Sequence, residues 1–248
     1  MLAIDKPSGW TSHDVVAVMR RVLATKRVGH GGTLDPLATG VLPILVGGAT
    51  KYVERLHTAP KVYAAAVRFG SETTTDDREG PVRREAAVPT LGAGELDAAL
   101  EPFRGEISQV PPDRSAVKVE GRRAYAVARA GTEVRLEPRI VHVERLAIAS
   151  WSPPVLRLLI VCGSGTYVRS LARDIGRSLG SAAHLDALRR LAVGALSVDV
   201  AADIGRLRAA SAAEASALLR PADERLLDLD DRFRSRGPVE LLDGWEAA

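Results

Sequence analysis

The chain has 248 residues, 46% of them hydrophobic and 26% charged, which suits one large globular domain or one domain carrying a sizeable insertion. Its formal charge of +3 hides an asymmetry: residues 223–248 hold eight acids against four arginines, a net −4, so residues 1–222 carry about +7. A single cysteine, Cys162, excludes a disulfide within the chain; there is no apolar run of about 18 residues and no signal-peptide pattern, which points to a soluble, cytoplasmic protein.

In chain order, LAIDK reads as a short strand turning at Pro7-Ser8-Gly9, and Thr11 with Asp14 three residues on marks a helix start. Val15, Val18, Met19 and Val22 continue at helical spacing, with Arg20, Arg21, Lys26 and Arg27 near the end. A Gly-rich loop follows (RVGHGG), then Asp35 before Pro36, then an apolar strand from Val41 to Val46. On residue types alone Asp35 is more simply a turn residue satisfying local amides than a functional carboxylate presented at the start of a buried strand. ATKYVERL reads as a turn or two of helix, and KVYAAAVRFG as a strand with Tyr63 near its beginning. SETTTDDREGP reads as a polar connection with no room for a core, GELDAALEPFRG as a short amphipathic helix, and GEISQV as a strand.

From Pro111 to about His142 the character changes, with Arg114, Lys118, Arg122, Arg123, Arg129, Arg135 and Arg139 interleaved with Tyr125. That is what a nucleic-acid contact needs, and a solvated basic face would look the same. VERLAIASW and PVLRLLIVCG read as paired strands turning at Ser152-Pro153-Pro154. GSGTYVRSLARDIGRSLG is a Gly-rich turn into a helix whose stripe is Val168, Leu171, Ile175 and Leu179. Tyr167 and Arg169 then fall in the first turn, where an arginine opposes the helix dipole and its charge should answer a nearby carboxylate or phosphate. HLDALRRLAVGALSVDVA reads as a helix then a strand, and the chain from Asp203 as Ala-rich helix followed by an acidic tail. Strands and helices alternate without regular spacing, which indicates an α+β or mixed-sheet domain.

Of 34 basic residues only five are lysine; guanidinium groups suit phosphate contact, although base composition would also enrich arginine. The five histidines show no metal-ligand spacing, neither GHGG nor GGATK is a GxxxxGK[ST] phosphate loop, no GxGxxG opens a helix after a strand, and there is no GxSxG elbow, since GRSLG at 176–180 ends a helix instead of following a strand. No metal and no cofactor are expected. What remains is one carboxylate on a Gly-rich loop, a tyrosine, an arginine and a basic surface.

The stretches DKPSGWTSHD, RVGHGGTLDPLATGVLPILVGGATK, KVY, TTTDDREG, SAVKVEGRRAYAVAR, GTYVRSLARDIG and HLDALRRLAVG together resemble the TruB family of tRNA pseudouridine-55 synthases, in family order over roughly residues 2–200. The resemblance implies an α+β pseudouridine-synthase fold, a mixed, largely antiparallel sheet flanked by helices. It implies a catalytic domain over residues 1–222, with an RNA-gripping thumb insertion at about 111–142. Residues 223–248 would be an acidic tail, without the PUA RNA-binding domain that bacterial members usually carry. The implied reaction is cofactor-free isomerisation of one uridine in the tRNA T-loop. Asp35 would be the catalytic carboxylate, ionised inside a pocket and therefore in need of a cation, a place matched by Arg169. Tyr63 matches the tyrosine stacked on the target base, His30 the histidine that helps displace the nucleotide, and Tyr167 and Leu188 other residues of the uracil pocket. Lys6, Lys118, Arg122 and Arg123 are candidate RNA contacts. The partner implied is the T-stem-loop of tRNA, bound by a monomer without guide RNA; a tRNA-binding or tRNA-folding protein with secondary catalysis is the alternative.

Overall fold

The computed structural model describes residues 1–113, 118–119, 122–123 and 136–245. It divides into two compact units, one of residues 1–64 and 188–236, the other of residues 65–187 and 237–245.

In the first unit β1 (Leu2–Lys6) turns into α1 (Ser12–Val22), followed by β2 (Val28–His30), β3 (Thr39–Val46), a 3-10 turn, α2 (Val53–Thr58) and the start of β4 (Lys61–Phe69). The expected helix start holds: Thr11 and Asp14 form a reciprocal capping box. β1 is antiparallel to β3, with Leu2 opposite Ile44 and Lys6 opposite Gly40, and β2 pairs the other end of β3. Alternating residues of these strands feed two cores. Leu2, Ile4, Leu42 and Ile44 pack with α1, while Met1, Ala3, Val41 and Leu45 pack with Leu56 of α2. Covered on both faces, β3 reads as a continuous apolar run.

The second unit continues β4 and adds the β5–β6 ribbon (Ser71–Thr73, Val82–Glu85), α3 (Ala93–Leu100) and β7 (Gly105–Gln109). A two-residue ribbon, β8 (Lys118–Val119) with β9 (Arg122–Arg123), precedes the long hairpin of β10 (Arg139–Ser152) and β11 (Val155–Cys162). The hairpin turns where expected, at a cis Pro153–Pro154 bond. α4 (Val168–Ser178) then leads into β12 (Ala183–Val193), which passes from the second unit into the first as β4 passes from the first into the second. The strand order is β12-β4-β11-β10-β7 in the second unit and β14-β1-β3-β12 in the first, where β13 (Leu196–Ser197) and β14 (Ala202–Asp203) close the sheet. The β1–β14 and β3–β12 registers are parallel and the β1–β3, β2–β3, β7–β10, β10–β11 and β12–β13 registers antiparallel, so the sheet is mixed and largely antiparallel, flanked by helices.

Two readings are corrected. HLDALRRLAV is strand β12, not a helix. Leu185, Leu188 and Leu191 repeat every three residues, but a strand central to a sheet is buried on both faces and loses its alternation. SETTTDDREG is no loose polar link either, for Glu72, Thr73, Thr75, Asp76 and Asp77 are all buried. Beyond Asp203 the Ala-rich stretch divides into α5 (Ile204–Ala209) and α6 (Ala212–Ala217). The acidic stretch carries α7 (Arg232–Ser235), with Phe233 buried in the first unit, and α8 (Pro238–Leu241) in the second.

Candidate active site

Asp35 sits half-exposed on the loop between β2 and β3, and that loop is held from three sides. Lys6, at the end of β1, is 0% exposed. Its ammonium donates to the carbonyls of Pro7 at 2.9 Å, Trp10 at 2.6 Å and Pro36 at 3.3 Å. The Pro36 carbonyl also accepts from the Gly9 amide at 2.8 Å, tying the Asp35-Pro36 turn to the turn before α1. At the first residue of α1, the Ser12 hydroxyl accepts from the Leu34 amide at 2.9 Å and donates to the Leu34 carbonyl at 3.2 Å. From β12, Arg190, 1% exposed, donates to the carbonyls of Val41 at 2.7 Å, Gly32 at 3.0 Å and Thr33 at 3.4 Å. Every peptide around Asp35 is thus anchored by a buried donor, and a fully buried cation has its charge spread over carbonyl dipoles.

Glycine makes the approach of β12 possible. Gly40, at φ 99°, has the backbone of Arg190 so close that a Cβ would lie 2.2 Å from its carbonyl oxygen. Only glycine fits there. One residue earlier in register, Arg189 pairs with Asp5 at 2.6 Å and 3.0 Å. The arginine doublet therefore splits between the two faces of one strand.

His30 ends β2 with its ring edge-on to His13, centroids 5.6 Å apart. Burial, then the positive groups of His13, Arg190 and His57, push its pKa down to about 4, so the ring is neutral at physiological pH. Its Nδ1 is buried without a hydrogen-bond partner among the described residues. β4 meets β12 antiparallel, fixed at its ends by Gly194 N to Pro60 O and Gly70 N to Ala182 O, both 2.9 Å. That register places Tyr63, 9% exposed, across from Arg189–Leu191, and Leu188, 8% exposed, just before them. The first unit thus contains His30, Asp35, Tyr63, Leu188 and Lys6 of the expected set.

The second unit contains Tyr167 and Arg169, at the start of α4. The Tyr167 backbone is gripped at both ends by the Gln109 side chain, N–H to Oε1 at 2.8 Å and C=O from Nε2 at 3.1 Å. Arg169 donates to the Thr75 carbonyl at 2.9 Å and lies 3.8 Å from the Asp77 carboxylate. The carboxylate beside this arginine is Asp77, supplied by the TTTDD segment. One turn on, Arg173 pairs with Asp76 at 2.7 Å and caps the Val110 carbonyl at 2.9 Å. Burial raises the Asp76 carboxyl's pKa, with Arg173 opposing the shift.

In the thumb segment, residues 114–117, 120–121 and 124–135 and the side chains of Lys118, Arg122 and Arg123 lie outside the described residues; Arg139–His142 already belong to β10. Among the described residues no group of three or more His, Cys, Asp or Glu side chains could hold a metal ion, and no helix is long and apolar enough to cross a membrane.

The loop so held, Gly29–Gly40, is the GHGGTLDPLATG sequence itself. A family model described as TruB family pseudouridylate synthase (N terminal domain) matches residues 20–168, and one described as tRNA pseudouridylate synthase B C-terminal domain matches residues 169–229. The chain belongs to the TruB family. It is 47% identical over 212 residues to the tRNA pseudouridine synthase B of Solibacter usitatus, covering 86% of this chain and 72% of that protein. To the tRNA pseudouridine synthase B of Mycobacterium tuberculosis it is 48% identical over 231 residues, covering 92% and 76%. Among solved structures it is similar to a chain of a Cbf5-Nop10-Gar1 complex, with TM-score 0.66 and 30% identity. It is also similar to a chain of an H/ACA RNP bound to a substrate RNA containing 2′-deoxyuridine, with TM-score 0.64 and 26% identity. It covers 84% and 91% of itself in these matches and spans about half of those chains, 53% and 56%. In this TruB family chain Ser12 and Arg190 are the site residues that sequence reading missed. Arg190 left one trace, as the second of two adjacent arginines inside the otherwise apolar run LRRLAV.

Proposed function

We propose that this protein isomerises uridine to pseudouridine at position 55 in the T-loop of tRNA, with Asp35 as the catalytic carboxylate. The observation that carries this reading is the anchoring of Gly32, Thr33, Leu34 and Pro36 by Arg190, Ser12 and Lys6, which fixes the backbone on both sides of Asp35. The curated relatives named tRNA pseudouridine synthase B support the substrate.

The N1–C1′ bond of the uridine breaks, the uracil turns, and a C5–C1′ bond forms; the C5 proton leaves and N1 gains one, so no atom enters or departs. Nothing but positioning and a proton path is required. Preorganised geometry is worth several kcal/mol in such a step, and a misplacement of about 1 Å costs on the order of 10²-fold. Lys6, Ser12 and Arg190 are accordingly positioning residues. The role of Lys6 is inside the fold, since none of its surface is exposed to meet a phosphate.

Taking a uridine out of a folded loop costs on the order of a few kcal/mol of stacking. His30, neutral and half-buried, is suited to enter the space the nucleotide vacates, because a neutral ring pays less for leaving water than an imidazolium. Tyr63 stacks on the uracil with Leu188 beside it, and Tyr167 and Arg169 carry the substrate-binding roles that the family resemblance gives them. Residues 1–222 form the catalytic part with the thumb at about 111–142, where Lys118, Arg122 and Arg123 contact RNA. The enzyme works in the cytoplasm as a monomer without guide RNA.

The test is to incubate the protein with unmodified tRNA and map pseudouridine by carbodiimide-blocked primer extension. A stop in the T-loop without added guide RNA is expected. Binding without any stop would favour a tRNA-binding protein and refute the proposal.

A further inference from the structure

Helix α4 carries Arg169, Arg173 and Arg177 on one face, at spacings of four residues, and each meets a buried carboxylate: Asp77 at 3.8 Å, Asp76 at 2.7 Å and Glu72 at 2.5 Å. The last rung differs. The first two arginine side chains are 7% exposed, Arg177 49%. Glu72, only 2% exposed, receives Arg177 through Nε at 2.9 Å and Nη2 at 2.5 Å, Arg83 through Nε at 2.6 Å, and Arg84 at 3.4 Å. One carboxylate faces three guanidinium groups; with Asp76, which lies 3.5 Å from Arg83 and pairs with Arg173, and Asp174, also paired with Arg173, the four arginines meet three acids and keep one positive charge in excess.

Protonation does not enlarge that excess at neutral pH. Burial drives the Glu72 pKa up, but bonds and charge from Arg177 and Arg83 outweigh it and hold it at about 2. The surplus faces an open cavity of about 530 Å³ lined by Arg83, Arg84, Arg177, Gly180, Ser181 and Glu72. Arg84 uses Nη2 on Glu72 and on the Ser181 carbonyl at 2.5 Å, while its Nε and Nη1, and the Nη1 of Arg83 and Arg177, have no hydrogen-bond partner among the described residues. A structural ion pair needs one cation per carboxylate. Three, with unused donors around a concavity, make a receptor for a second anion, and guanidinium forks match phosphate oxygens.

We infer that Arg83, Arg84 and Arg177 form a binding site for a backbone phosphate of the substrate RNA, away from the reacting nucleotide. The inference rests on the reading that the chain acts on tRNA. Along α4 the Cα of Arg177 lies roughly 12 Å from that of Arg169, a span of about three to four nucleotides of stacked strand. The buried rungs hold the fold while the exposed rung grips the RNA backbone.

The experiment measures binding of unmodified T-stem-loop RNA to the full chain across a salt series, for wild type, Arg84→Gln and Arg84→Lys, with thermal melts alongside. Losing one phosphate contact lowers the slope of log K against log salt by about 0.9, which at 0.1 M salt, referred to 1 M, is roughly an eightfold weaker affinity. Arg84→Gln should show both changes with its melting temperature retained, and Arg84→Lys should keep the wild-type slope. A wild-type slope and affinity in Arg84→Gln would overturn the inference. So would Arg84-dependent binding of inorganic phosphate, read by calorimetry, in a protein whose RNA slope is unaffected. If wild type binds RNA in this Arg84-dependent way yet forms no pseudouridine, the catalytic reading falls and the phosphate site stands.

Discussion

Replacing Arg190 by methionine tests whether the Asp35 loop is held by the donors that surround it. The change keeps length and apolar bulk but removes donors from the carbonyls of Val41, Gly32 and Thr33, at 2.7, 3.0 and 3.4 Å. Bonds to a charged donor are worth about 1.5–3 kcal/mol each, and a buried acceptor left bare costs about 1–3 kcal/mol. Against this, the folded state no longer has to desolvate a guanidinium, which recovers part of the loss. Counting the two shorter bonds in full and the third as weak leaves a net cost of about 3 kcal/mol. For a chain of this size that lowers Tm by roughly 6–12 °C. Turnover should fall on the order of 10²-fold, since the Gly32 and Thr33 peptides lead directly to Asp35. Differential scanning calorimetry and single-turnover pseudouridine formation on a T-stem-loop measure the two effects. An Arg190→Met protein melting within 2 °C of wild type and turning over at the wild-type rate would refute the anchoring argument.

Gly40→Ala should destabilise more than an ordinary surface change, by about 2–4 kcal/mol, because a Cβ would stand 2.2 Å from the Arg190 carbonyl at φ 99°; urea unfolding checks it. Arg173→Leu should cost about 3–5 kcal/mol, read the same way, by leaving the Asp76 carboxylate buried without its 2.7 Å partner. His30 should titrate near pH 4 by NMR, and upward of that in Arg190→Met, since Arg190 is one of the charges depressing it. Between pH 6.5 and about 4 the unfolded chain takes up a proton that folded His30 refuses, so this residue's contribution to stability declines as pH falls through that window.

Much of the fold was legible where local chemistry and tertiary context agree. The Thr11–Asp14 capping box, the apolar run of β3 and the hairpin at Pro153-Pro154 are signals of this kind, each decided by the residues within a few positions. β12 was not, because its leucine spacing mimics a helix while its strand state is imposed by neighbours distant in sequence: Thr39 and Gly40 on one side and Pro60 at the end of the other. The TTTDD segment hid its burial behind its polarity, since the arginines that neutralise it sit about a hundred residues later, on α4. At the site, Asp35 was named by its motif and not by its physics. Lys6 reads from sequence as a candidate RNA contact although its ammonium points into the fold, and Ser12 and Arg190 lie in DKPSGWTSHD and HLDALRRLAVG with nothing in their residue types to set them apart as loop anchors. Buried charges paired with backbone carbonyls leave almost no trace in composition or periodicity.

The most direct test of the account is Asp35→Asn, a change that keeps the side chain's shape and removes its negative charge. Unmodified tRNA incubated with the folded variant should show no carbodiimide-dependent stop in the T-loop, while wild type under the same conditions gives one. A T-loop stop of wild-type intensity from the Asp35→Asn protein would contradict the assignment of Asp35 as the catalytic carboxylate.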